Sequence, residues 1–166
     1  MNLFILPILI AAQMFGLFSA TEARVKRDDL QMLTGAQWSG TLTYLDYRSR
    51  KLISIPVNLS VKPNADDDWS WSFTYNYPDE PRANSEEIIR LSKDRRSING
   101  EVVLERTRLR DNTIKVVTEK KGEDDNRSAS IRYTYFLNVR SFSITKDVRY
   151  EDDDKYFERN TFRWKR

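Results

Sequence analysis

From residue 36 to the end of the chain, apolar and polar side chains alternate with a period of two, interrupted by short clusters of Asp, Asn, Gly, Ser and Pro. Successive side chains of an extended strand point to opposite faces, so this alternation predicts strands that bury one face, and the polar clusters predict the turns between them. In WSGTLTYLDY, which starts at Trp38, the residues Trp38, Gly40, Leu42 and Tyr44 share one side while Ser39, Thr41 and Thr43 share the other. About nine strands are expected, over residues 36–47, 52–62, 69–77, 86–92, 99–109, 113–121, 127–137, 142–150 and 155–164. No long segment has a helical period, although DDLQML, residues 28–33, suits one short helical turn before Gly35. An all-β antiparallel up-and-down meander follows, closing into a barrel or folding into a sandwich.

Pairing the strands predicts which residues face the core, because a slip of one residue would turn every side chain to the other face. A turn centred on Asp111 and Asn112 sets Leu109 against Ile114 and Thr107 against Val116, and a turn over residues 122–125 sets Val116 against Ile131. The next turn, 138–141, sets Leu137 against Phe142, Tyr135 against Ile144, Tyr133 against Lys146 and Ile131 against Val148. The last, 151–155, sets Tyr150 against Tyr156, Ile144 against Phe162 and Phe142 against Trp164. Pro56 lacks an N–H for a ladder, so its strand needs an edge or a bulge there. Residues 77–84, YPDEPRAN, read as an ordered loop, a lid or a barrel corner.

The face shared by the last five strands is apolar except for Glu105, Thr107, Lys146, Glu158 and Asn160, and polar groups inside must be paired or used. In this register Lys146 lies opposite Tyr133 and Asn160 and diagonal to Glu158, so its partner is either Glu158 or the carboxylate of a ligand. Along residues 69–77, Trp69, Trp71, Phe73, Tyr75 and Tyr77 form a stripe that serves either as core or as the wall of an apolar pocket. The candidate ligand-binding set is therefore Trp71, Phe73, Tyr75, Tyr133, Lys146 and Glu158. An enzymatic alternative uses Glu105, Glu158 and Lys146 for proton transfer, and a third reading is a structural or protein-interaction barrel with a filled core.

Composition narrows the chemistry. The 166 residues include no cysteine and no histidine, which removes disulfides, zinc and copper sites, the usual haem ligands and Ser-His or Cys-His nucleophile systems. No cofactor and no metal are expected. The acidic turns at 66–68, 123–125 and 151–154 lack EF-hand spacing and read as solvated hairpin tips. A net charge of +3 from 28 basic and 25 acidic residues, well mixed, argues against nucleic acid as a partner.

The first twenty residues carry no charge, and the apolar run at 3–10 shades into small residues, the pattern of a secretory leader. Cleavage is expected after Ala23 or after Ala20. The apolar stretch is short for a span of about 20 residues, though no Lys or Arg precedes it while Arg24, Lys26 and Arg27 follow it, the charge order of a reversed anchor. The expectation is a signal peptide over 1–23, a single exported domain over 24–166, and no stable membrane span after cleavage.

The short helical turn, Gly35, and Trp38 opening the first strand of a meander resemble the start of calycin barrels, the lipocalin and fatty-acid-binding group. That resemblance implies a barrel of about eight or nine strands, a tryptophan closing one end, and an arginine packed over it, for which Arg159 and Arg163 are the candidates. The chain departs from the pattern in having Gly35-Ala36-Gln37-Trp38, one residue longer than glycine-x-tryptophan, and in lacking disulfides. WSGTLTYLDY and ERNTF also resemble exported bacterial β-rich proteins of no assigned activity. The combined expectation is an exported ligand-binding or envelope-associated barrel, its partner a small apolar or amphiphilic molecule with an acidic head.

Overall fold

The computed structural model describes residues 23–166, so the leader expectation, apart from Ala23, falls outside the described residues. A short helix, α1 (Arg27–Gln31), precedes ten strands: β1 (Gln37–Asp46), β2 (Lys51–Pro63), β3 (Ser70–Asn76), β4 (Ser85–Arg90), β5 (Ser97–Ile98), β6 (Glu101–Arg108), β7 (Ile114–Asp124), β8 (Arg127–Leu137), β9 (Ser141–Tyr150) and β10 (Phe157–Lys165). All lie in one antiparallel sheet of order β4-β3-β2-β1-β10-β9-β8-β7-β6-β5. The first and last strands pair with each other, and the edge strands β4 and β5 meet only through the Leu91–Ile98 bridge, so the meander curls almost into a closed barrel. Among the described residues no helix is long and apolar enough to cross a membrane.

The tenth strand arises from a tight turn. Asn99 and Gly100 both take positive φ, 51° and 79°, and fold the chain back between Ile98 and Glu101, so the strand expected over 99–109 starts two residues late and Ser97–Ile98, before it, forms the extra strand. A second two-residue turn, Asp125 and Asn126 at φ 51° and 58°, links β7 to β8. It pairs Val116 with Tyr135 and Lys120 with Ile131, four residues away from the expected Val116–Ile131 pairing, and an even displacement leaves every side chain on its expected face. The pairs expected between β8 and β9 all occur.

Two departures do change faces. Leu109 N–H donates to Thr113 O at 2.8 Å around a turn with Asn112 at φ 65°, so three residues rather than two lie inside the turn that this bond closes. The register therefore becomes Arg106 with Val116 and Thr107 with Lys115, which turns Glu105 and Thr107 outward and Arg106 inward. A bulge after Val103 then restores the expected phase, leaving Glu101 and Val103 inside. The second departure is a bulge between Glu158 and Asn160: Phe162 and Asn160 face Ile144 and Lys146 as expected, but Phe157 faces Val148 and Glu158 faces Asp147, on the outer side. Pro56 sits in the half of β2 that has β1 alone beside it, because β3 pairs with β2 only over residues 58–63.

One end of the barrel is filled. Trp38, Trp164, Phe142, Leu137, Ile114, Trp71 and Phe73 are all buried there, with Phe142 stacked on Trp164 at 5.0 Å and Trp164 on Phe162 at 5.1 Å. Leu30 and Leu33 from and beside α1 plug that end, and Trp38 Nε1–H donates to Leu33 O at 2.9 Å. Arg106 reaches Asp29 through two 2.7 Å bonds, a pair with its carboxylate buried and its guanidinium largely enclosed, which ties α1 to β6. Gly40 is required by proximity: a Cβ there would overlap the Arg163 carbonyl and come within 2.6 Å of Trp164 Cδ1. Arg166, just past β10, packs its guanidinium 4.9 Å from the Trp38 ring, the place the resemblance assigns to Arg159 or Arg163. Arg159 instead lies 4.1 Å from the Tyr47 ring at the other end.

Candidate functional site

Above the packed end the interior opens. A cavity of about 460 Å³ is lined by Tyr75 of β3, Glu87 and Ile89 of β4, Glu101, Lys120, Tyr133, Tyr135, Ile144, Lys146, Asn160 and Phe162, with Asn99 at its edge. A second chamber of about 390 Å³ shares Lys146 and Asn160 with it and continues toward Tyr44, Tyr77, Asp124 and Arg159. Side chains set much of the change from filled to open: β1, β9 and β10 point Trp38, Phe142 and Trp164 inward at the α1 end and Tyr44, Lys146 and Asn160 inward at the other. Long polar groups keep their heads in water, and a barrel of this size is just filled only when its inward residues are large and apolar.

The cavity opens sideways as well. β6 pairs with β7 only as far as Glu119, and β4 meets β5 only below, at Leu91, so residues 85–88 and 120–124 border a slot with no strand between them. Glu87 and Lys120 stand on its two sides. Glu87 faces inward from β4, paired in register with Phe73, yet remains open to solvent through this gap.

Charged groups inside fall into two sets. In the first, Glu101 accepts from Thr118 Oγ1 at 2.8 Å and from Lys120 Nζ at 3.0 Å, while Glu87 accepts from Asn99 Nδ2 at 3.3 Å. Burial, then the neighbouring Glu101, raise the Glu87 carboxyl above its ordinary value, with Lys120 pulling it back. In the second set Asp124, buried at the end of β7, accepts from Lys146 Nζ at 2.6 Å and lies 3.5 Å from Arg159 Nε. The bulge in β10 makes this set: both Arg159 and Asn160 turn toward the interior. Between the sets stands Tyr133, whose phenol is pushed up to about 12 by burial and by Glu101, Glu87 and Asp124, in that order. It is therefore a neutral hydroxyl at physiological pH.

Of the residues singled out from sequence, Tyr75, Tyr133 and Lys146 meet in the cavity. Trp71 and Phe73 lie in the packed layer below it, Trp71 fixed by a 3.2 Å bond from its Nε1–H to Gln31 Oε1. Glu158 lies outside, accepting from Thr161 Oγ1 at 2.6 Å, so the partner of Lys146 in the wall is Asp124. Glu105 is outside too, held by Lys115 at 2.8 Å, and the trio Glu105, Glu158 and Lys146 is not brought together. Sequence reasoning missed Glu87, Asn99, Glu101, Lys120, Asp124 and Arg159. Asp124 was legible in principle: centring the turn on Asp125 and Asn126 puts it at the end of the inward series Val116, Thr118, Lys120.

Among the described residues no group of three or more carboxylates is placed to hold a metal ion. No known protein-family model matches this chain, and no curated protein matches it either.

Proposed function

We propose that this protein is a small-ligand-binding barrel of calycin type, working after export, and that its ligand is an amphiphile whose acidic head meets Lys146. One observation carries this reading: Lys146 stands where the two chambers join, and it and Arg159 share a single carboxylate, Asp124. A primary ammonium has three donors, and Asp124 occupies one, so the remaining hydrogens point at a second acceptor or at water. A ligand carboxylate entering there replaces water by a charge-assisted bond in a partly enclosed setting, which strengthens it. The apolar part of such a ligand fits against Tyr75, Tyr135, Ile144 and Phe162. The near-closed meander, the tryptophan at its plugged end and the arginine over that tryptophan support the calycin likeness.

The test is a titration of wild type and Lys146→Met with a fluorescent medium-chain fatty acid. Saturable binding is expected in the wild type, weakened on the order of tenfold in the variant, which corresponds to about 1.4 kcal/mol. Equal binding by both proteins, or none by either, would remove the ligand reading and leave Lys146 as a structural partner of Asp124.

A further inference from the structure

The two charged sets are each out of balance, in opposite senses. Beside the slot, Glu87 and Glu101 face one cation, Lys120. Toward β10, Lys146 and Arg159 face one carboxylate, Asp124. At neutral pH the slot side carries a formal excess of one negative charge and the β10 side an excess of one positive charge. Glu80, at the exposed rim of the second chamber, is screened by solvent and leaves this polarity in place. The wall between the sets is mostly uncharged, consisting of Tyr75, Tyr135, Ile144 and Phe162.

We propose that the cavity takes a zwitterionic ligand: an anionic group held by Lys146 and Arg159, an amine held by Glu87 and Glu101, and an apolar body between them. The proposal rests on the acidic-head reading above and adds the second charge. A ligand with an acid alone meets Lys146 but leaves the slot carboxylates uncompensated, and one with an amine alone meets Glu87 but faces two cations beyond it. Only a molecule carrying both offsets both excesses, and complementary charge of this kind selects partners more than it raises affinity for all of them. Glu87 is the main acceptor for the amine, since it takes a single 3.3 Å bond from Asn99, whereas both Glu101 oxygens are already engaged. The Tyr133 ring, 5.6 Å from Lys120 Nζ, adds an aromatic face of the sort that attracts ammonium groups. Lys120 on β7 lies level with Val148 on β9, two residues from Lys146 and one intervening strand away, so about 12 Å of wall separates the two lysines, which suits charges separated by a medium-length chain.

Isothermal titration of wild type, Glu87→Gln and Lys146→Met with octanoate, octylamine and 8-aminooctanoate tests this, with the six- and ten-carbon ω-amino acids bracketing the length. In wild type the best-fitting amino acid should bind at least about tenfold more tightly than the carboxylate of equal length. Glu87→Gln should collapse that ratio toward one, and Lys146→Met should shift the preference to octylamine. Octanoate binding as tightly as every amino acid in wild type would overturn the zwitterion proposal while sparing the acidic-head reading. Failure of octanoate and of all the amino acids to bind would overturn both.

Discussion

The two ends of this barrel share most of their strands and differ in what those strands point inward, in the α1 plug at one end and in the slot beside β4 at the other. At the α1 end, Trp38, Phe142 and Trp164 interlock beneath α1, which supplies Leu30 and a buried carboxylate for Arg106, and beneath Leu33 just after it. At the other end the same β1, β9 and β10 present Tyr44, Lys146 and Asn160, and the interior opens into joined chambers. The first arrangement supplies stability through apolar burial and close packing, which a few large side chains dominate. The second keeps only a small apolar cluster, Ala129, Ile131, Val148 and Tyr150, and what it offers beside it is polar chemistry within reach of solvent. A fold of this kind divides its work along the barrel axis, so substitutions at the two ends should fail in different ways.

The largest effect is expected from Phe142→Ala. This removes the ring that stacks on Trp164 and meets Trp38 and Phe73 edge-on, leaving a void in the tightest part of the core. Denaturant unfolding should show a loss of roughly 3–5 kcal/mol. A loss under about 1 kcal/mol would mean that the α1 end is not the packed one.

A smaller but sharper contrast separates two acid–base pairs that β6 carries on opposite faces. Asp29→Asn strands Arg106 where that guanidinium is largely enclosed, and removal of one partner of a buried pair costs about 3 kcal/mol. Glu105→Gln breaks an exposed pair with Lys115, and by the usual worth of surface pairs it should change stability by less than about 1 kcal/mol. Similar effects for the two would contradict the three-residue turn that sends Arg106 inward.

The smallest expected effect is a pH dependence at the cavity end. Because the Glu87 carboxyl is raised on folding, by burial and then by Glu101, the folded protein holds that proton more tightly than the unfolded chain does. Its contribution is therefore fully present below the unfolded carboxylate value, near pH ~4, and is lost as pH rises toward the raised folded value. Melting curves of wild type and Glu87→Gln should coincide at low pH and separate above that window, with the variant the more stable at pH 7. The gap will be modest, since solvent reaches Glu87 through the slot.

How much of this was legible in the sequence depends on how each element sets its phase. The β8–β9 and inner β9–β10 pairings could be read directly, because Leu137, Tyr135, Phe142, Ile144 and Phe162 leave only one register that buries them together. β6 could not: Leu104, Thr107 and Leu109 are apolar or neutral enough to pass for inward residues, and the bulge after Val103 makes either phase look consistent over half the strand. Glu158 was misplaced for the same reason, since nothing in ERNTF marks the extra residue that turns Arg159 and Asn160 both inward. The cavity itself lay beyond pattern reading because it depends on a missing pairing. Alternation predicts that β4 is a strand, but not that its free edge lies across a slot from Lys120.

The division of the interior can be probed most directly because the chain has no cysteine of its own. Single-cysteine variants Asn160→Cys, on the cavity wall, and Leu137→Cys, in the packed end, report access to the two regions when a thiol reagent is added to the folded protein. Asn160→Cys should be modified at least roughly 100-fold faster than Leu137→Cys, whose modification should wait on unfolding. Equal rates, or a cavity cysteine as protected as the buried one, would contradict an interior that is packed at one end and open at the other.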